Sequence, residues 1–213
     1  TASVYSDVSG ERTLHADGEV RVMRRDEAEQ SGSGCPNWDL LSQSAADADK
    51  RCTSSVDVDA LYARYASSGL PYGPSFRLMR SGRMDSECKS TICSLSPGSD
   101  VMRTTTLLSP PLIDAVVQSV GSLSTAGADG SDSSLEDNRP MTLVPFSFDR
   151  VWLRPGVTES VWSPGECIGH VEVRSKTDDM MVSDCTLLGP SGEAVLRIEG
   201  LHLRAIRADG VDA

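Results

Sequence analysis

Apolar and polar residues alternate with a period of two along several stretches of this chain, and two further stretches shift to the longer period of a helix. At the start, Val4-Tyr5 and Arg12-Thr13-Leu14-His15-Ala16 read as the two strands of a hairpin around a polar turn, Ser6-Asp7-Val8-Ser9-Gly10. Asp17-Gly18 is a turn dipeptide, and Val20-Arg21-Val22 resumes the alternation. Residues 24–50 keep no period and are rich in Ser, Asp, Gly and Ala. With Ser31-Gly32-Ser33-Gly34 among them, they have the composition of a flexible linker. Val58, Leu61, Tyr62 and Tyr65 then recur at helical spacing, which predicts a short amphipathic helix. Ser55 or Asp57 can cap it, and Gly69 can end it. Pro71-Tyr72-Gly73-Pro74-Ser75-Phe76 is a rigid turn, followed by strands over about 76–84 and 87–95.

The second helical stretch is 109–123. Pro110 and Pro111 suit its first turn, where an N–H has no intrahelical partner. Leu112, Ile113, Ala115, Val116, Val117 and Val120 make it apolar nearly all round, so it is expected to be buried. Residues 124–138 are of low complexity. The remainder reads as strands over 143–153, 168–174, 181–188 and 194–206, the last two joined by the Gly189-Pro190-Ser191-Gly192 turn. A buried apolar helix in a chain otherwise built of antiparallel strands must be wrapped by a sheet. That predicts an α+β hot-dog fold.

Composition narrows the function. The 213 residues carry 20 Lys+Arg against 31 Asp+Glu, a net charge of −11, which argues against nucleic acid as the main partner. No apolar run reaches the length of a membrane span, and the first residues lack the pattern of a signal peptide; the expected location is cytoplasmic. The six cysteines include no Cys-x-x-Cys spacing and read as reduced thiols. His15, His170 and His202 do not cluster with them, so no metal site is expected. Gly165-Glu166-Cys167-Ile168-Gly169 has the form of a nucleophile elbow, but the residues after Gly169 alternate like a strand rather than opening a helix. No Gly-x-Ser-x-Gly, dinucleotide fingerprint or P-loop is present.

Four segments, in order, carry a resemblance. They are Tyr72-Gly73-Pro74-Ser75-Phe76, the helix Leu107–Gln118 with its Asp114-Ala115-Val116-Val117-Gln118, the strand Leu143-Val144-Pro145-Phe146-Ser147-Phe148, and the closing hairpin from Gly192 to Arg204. Together they resemble the dehydratase domains of modular polyketide synthases and animal-type fatty acid synthases, with Ser109 where the family has a His. The resemblance implies the second half of a double hot dog. On that view residues 1–23 are the terminal strands of a first hot dog, 24–55 a linker, 56–207 the C-terminal hot dog and 208–213 a tail.

The family's reaction removes water from a 3-hydroxyacyl thioester carried on the phosphopantetheine of an acyl carrier protein, with no other cofactor. It needs a base and an acid facing each other across the acyl chain. By resemblance Asp114 is the acid, Gln118 and Tyr72 share its site, and Gly73, Pro74, Phe76, Pro110 and Pro111 bind substrate. On residues alone Asp114 reads more readily as a helix cap than as a catalyst, Gln118 equally as a supporting residue or a satisfied polar group, and Tyr72 more readily as a packing residue of the turn. Burial would raise the Asp114 pKa, whereas a place in the first helical turn would favour its charged form. The helix start is also expected to offer N–H groups to the thioester oxygen.

The family's base is a His in a His-x-x-x-Gly-x-x-x-x-Pro motif, which none of His15, His170 and His202 begins. His170 and His202 read as partly exposed strand residues. A His-bearing N-terminal hot dog, in cis or on another chain, is therefore an expected partner, as are the carrier protein and a dimer within a megasynthase. Alone, the chain is expected to be inactive and to expose surfaces that the other half covers. Arg77, Arg80 and Arg83, near the turn, form a candidate basic patch for an acidic carrier. Two other readings stand beside this one: a non-catalytic scaffolding or dimerisation module, and a product-template-like cyclase. The cyclase family usually has a His where Gln118 stands.

Overall fold

A computed structural model of the chain describes residues 2–8, 11–19, 34–97, 109–124, 141–155 and 165–207. The chain divides into two units, 1–35 and 36–213. The first contains β1 (Ala2–Val8) and β2 (Glu11–Gly18), an antiparallel pair that runs from Ala2 opposite Gly18 to Val8 opposite Glu11, with a shift of register between Val4 and Tyr5. Pairing thus continues through Ser6, Asp7 and Val8, which were expected in the turn. The alternation at Val20–Val22 lies outside the described residues.

Among the described residues, the second unit is built on an eight-stranded antiparallel sheet. Its strands are β3 (Ser54–Val56), β4 (Met79–Met84), β5 (Ser90–Leu95), β6 (Met141–Ser147), β7 (Arg150–Leu153), β8 (Cys167–Lys176), β9 (Met180–Leu188) and β10 (Ala194–Arg207). They run in the order β3-β4-β5-β8-β9-β10-β6, with β7 also on β10. The long strand expected over 143–153 is therefore two strands. Both pair with β10, one with residues 202–207 and the other with 196–199. Between these two segments of β10, Gly200 adopts φ +59, and Asp149 fills the space a side chain there would need.

Among the described residues four α-helices accompany the sheet: α1 (Trp38–Arg51), α2 (Val58–Ser67), α3 (Pro110–Gln118) and α4 (Gly121–Ser124). α2 starts at one of its two expected caps: the Asp57 carboxylate accepts from the Ala60 N–H at 2.9 Å. It closes with Gly69 at φ +85, and the N–H groups of Gly69 and Leu70 return to the Ala66 and Tyr65 carbonyls. α3 begins at its two prolines but ends at Gln118, five residues short of the expected boundary. The Ser119 hydroxyl bonds back to the Val116 carbonyl, the Val120 N–H turns to Val117, and Gly121 opens the separate turn α4.

The pleat sorts the core into two clusters. Cys93, Leu95, Val171, Cys185, Leu187 and Leu196 point to one face, where α3 contributes Leu112, Ala115 and Val116 and α2 contributes Leu61, Tyr62 and Tyr65. Gly169 lets α3 sit close: a Cβ there would meet the Cys93 sulfur, with Val116 just beyond. Ile92 and Leu188 point the other way, against Ala45, Ala48 and Cys52. This is the α+β hot-dog arrangement.

α1 is a correction to the linker read over 24–55. Among the described residues of that stretch, fourteen are helical. Asn37 caps the helix, Ala45 and Ala48 are buried, and the Ser42 hydroxyl accepts from the Ala194 N–H at 2.9 Å. Beneath it the sheet carries a polar network. Asp184 is held by Arg197, by Arg174 at 2.8 Å and by the Gly200 N–H at 2.9 Å. His170, expected at the surface, is 1% exposed and bonds the Ser90 hydroxyl at 3.2 Å. Its burial pushes its pKa down, partly offset by Glu172 at 4.0 Å.

Candidate active site

α3 carries Asp114 and, one turn on, Gln118, so the two side chains share a face. The Gln118 amide nitrogen donates to Asp114 Oδ2 at 2.6 Å and to the Phe76 carbonyl at 3.1 Å. Its amide oxygen accepts from the Tyr62 hydroxyl at 3.0 Å. The Tyr65 hydroxyl donates to the Gln118 main-chain carbonyl at 2.5 Å. Gln118 is thus buried with every polar group of its side chain satisfied.

Tyr72 closes the cluster as a ring rather than as a hydrogen-bonding group. It packs edge-on against Tyr62 and Tyr65, with centroids 6.2 and 5.3 Å apart, and its hydroxyl makes no hydrogen bond among the described residues. Burial, and then the Asp114 charge, push its pKa up to about 12, so it stays a neutral phenol at ordinary pH. Gly73, Pro74 and Phe76 lie at the surface beside it, at the start of and within a one-turn 3₁₀ segment. Phe76 reaches the site through its carbonyl.

Asp114 is half-buried. Loss of solvent raises its pKa, and the Gln118 hydrogen bond, which favours the carboxylate, partly opposes the rise. No cation pairs with it among the described residues. Asp114 is the fifth residue of α3, beyond the first turn, so the expected pull of the helix start on its charge is weak. The expected N–H donors at that start are also missing. Pro110 and Pro111 have no N–H, and those of Leu112 and Ile113 both donate to the Ser109 carbonyl. Ser109 is fully buried, and its hydroxyl has no partner among the described residues.

Neither His170 nor His202 touches Asp114. His170 lies in the network beneath α1, and His202 stands 3.4 Å from Asp149. Cys167, the elbow candidate, opens β8 and no helix follows it; burial raises its thiol to about 11. Of the three arginines, Arg83 is committed to Asp49 and to the Asp49 and Cys52 carbonyls at the end of α1. Arg80 is exposed, and Arg77 stacks 4.7 Å from the Tyr62 centroid. Arg77 and Tyr72 border a cleft of about 240 Å³ that Asp114 does not line.

Residues 41–213 match the family model described as "Polyketide synthase dehydratase N-terminal domain". The chain belongs to the polyketide synthase dehydratase family. It is 30% identical over 171 residues to polyketide synthase GfsE of Streptomyces halstedii, covering 79% of this chain and 4% of that protein. Among solved structures, the dehydratase domain from the CurJ module of the curacin polyketide synthase superposes with a TM-score of 0.66 at 17% identity, over 97% of this chain and 63% of that one. Two inactive mutants of the CurK dehydratase, one with a His replaced by Phe and one with an Asp replaced by Asn, each give 0.65 at 19% identity, over 97% of this chain and 62% of theirs. The chain therefore spans less than two thirds of these dehydratase structures.

Tyr62 and Tyr65 stood out in the sequence only as the apolar face of a helix. The signal was their type: a tyrosine in a core position brings a hydroxyl that needs a partner.

Proposed function

We infer that this chain is the proton-donating half of a polyketide synthase dehydratase, acting on 3-hydroxyacyl thioesters held on an acyl carrier protein. The observation that carries this is a half-buried carboxyl, Asp114, without a cation among the described residues, whose pKa burial raises and whose one oxygen is tied to Gln118. In the reaction a base on the other half removes the proton from C2. The C3–O bond breaks, the leaving hydroxyl takes the Asp114 proton and departs as water, and C2=C3 forms. The inactive CurK mutants, altered at a His and at an Asp, support a two-residue site of this kind in the family.

The lack of a His motif in these 213 residues and an apolar surface support a partner half. Phe146 and Phe148 are 63% and 59% exposed, with Val151 and Leu153 also exposed on β7. Residues 1–23 would then be the end of the first hot dog and 56–207 the second, with no cofactor beyond the carrier's phosphopantetheine. Arg77 and Arg80, which are not tied to α1, are the basic groups offered to an acidic carrier.

The test is reconstitution. The chain is mixed with, or fused to, a dehydratase first hot dog bearing the His motif, and a 3-hydroxyacyl carrier thioester is followed by mass. The pair is expected to form the enoyl thioester and the chain alone to form none. No product from a stably associated pair would leave the scaffolding role instead.

A further inference from the structure

We propose that Tyr62 is a positioning residue that, together with the Phe76 carbonyl, fixes which end of the Gln118 amide faces Asp114, and thereby which Asp114 oxygen carries the transferable proton. The proposal rests on the reading of Asp114 as the acid.

Donors and acceptors around the amide decide its orientation. A side-chain amide can be turned end for end at little steric cost, so its direction is set by what surrounds it. The Phe76 carbonyl can only accept, and it lies 3.1 Å from the amide nitrogen. The Tyr62 oxygen receives the Met79 N–H at 3.4 Å, which leaves its own proton for the Gln118 oxygen at 3.0 Å. If the amide were reversed, its oxygen would face the Phe76 carbonyl and the Tyr62 proton would lose its acceptor. Asp114 cannot make the choice itself, because a neutral carboxyl both donates and accepts. With the amide nitrogen held on Oδ2 at 2.6 Å, that oxygen acts as acceptor. The proton of the neutral acid then sits on Oδ1.

Tyr65 is the internal control. It belongs to the same helix and ring cluster, but its hydroxyl holds the Gln118 main-chain carbonyl and leaves the amide alone.

The experiment is an NMR titration of the full chain that follows the Asp114 carboxyl carbon and the Gln118 side-chain N–H protons. In the wild type the Gln118 protons should shift with the Asp114 midpoint. In Tyr62→Phe the midpoint should rise by roughly half a pH unit, as expected when a hydrogen bond to the charged form loosens, and the amide response should shrink. Tyr65→Phe should leave both unchanged. The proposal is overturned by a Tyr62→Phe midpoint equal to wild type, or by a Tyr65→Phe shift as large. It is also overturned by Gln118 protons that stay silent through the wild-type titration, a readout that needs no variant to fold. None of these readouts requires turnover, so a failure of Asp114 as the acid would be seen separately, in the reconstituted reaction.

Discussion

Gln118 donates to Asp114 from one helical turn away, at 2.6 Å, and this bond works against the effect of burial on the same carboxyl. Burial favours the protonated acid and the amide favours the carboxylate, with burial the larger. On the proposed role of Asp114 as the acid, such opposition suits a donor that must give up a proton and regain it. Desolvation keeps the proton available, while the amide steadies the charge left behind.

That balance has a signature in stability. An Asp whose folded pKa lies above its unfolded value contributes stability below the unfolded value, and loses it as pH rises through the folded one. Asp114→Asn removes the loss without removing the polar contact to Gln118. Because Asp114 is only half-buried, solvent screening keeps the effect small. The variant should melt about 1–4 °C above wild type at pH 7, and the gap should close on acidification below the unfolded pKa of Asp. Thermal denaturation on either side of that pH checks this; a gap that widens on acidification would contradict it.

Gly121 packs directly against the Tyr65 ring. A Cβ at this position would occupy the place of the Tyr65 hydroxyl, and that hydroxyl holds the end of α3. Gly121→Ala is expected to destabilise the chain by about 1–3 kcal/mol, as overpacking does. Urea denaturation measures the loss, and a neutral result would show that Tyr65 can move without consequence.

If Arg77 and Arg80 meet the carrier as proposed, their replacement and that of Arg83 should have different effects. Replacing the first two by Ala should raise KM for a carrier-bound substrate in the reconstituted pair, with kcat kept and the salt dependence weakened. Replacing Arg83 should instead lower the melting temperature, since it ties β4 to the end of α1. The carrier assay, run beside thermal melts, distinguishes the two effects.

Much of this fold was legible because its signals are local. Asp57 and Gly69 bracket α2, Pro110-Pro111 starts α3, and the strands alternate. α1 was missed because the face it buries against the sheet consists of two alanines, Ala45 and Ala48, which look no different from the alanines of a linker. Asp184 and Arg197 resemble solvated strand charges, yet they neutralise each other under that helix. The split of β6 from β7 depends on a non-local event, the positive φ of Gly200 on a strand far along the chain. In the site, the pairing of Asp114 with Gln118 follows from helix geometry alone. The Tyr62 and Phe76 contacts join three separate segments, and no periodicity announces them.

If Asp114 delivers the proton that turns a hydroxyl into water, its removal must slow the chemical step itself. The most direct measurement is the single-turnover rate of enoyl formation by the reconstituted pair, wild type against Asp114→Asn, with a variant shown to be folded. A fall of about 10²-fold or more is expected when a general acid is lost. An Asp114→Asn pair that forms enoyl thioester at the wild-type rate would contradict the account.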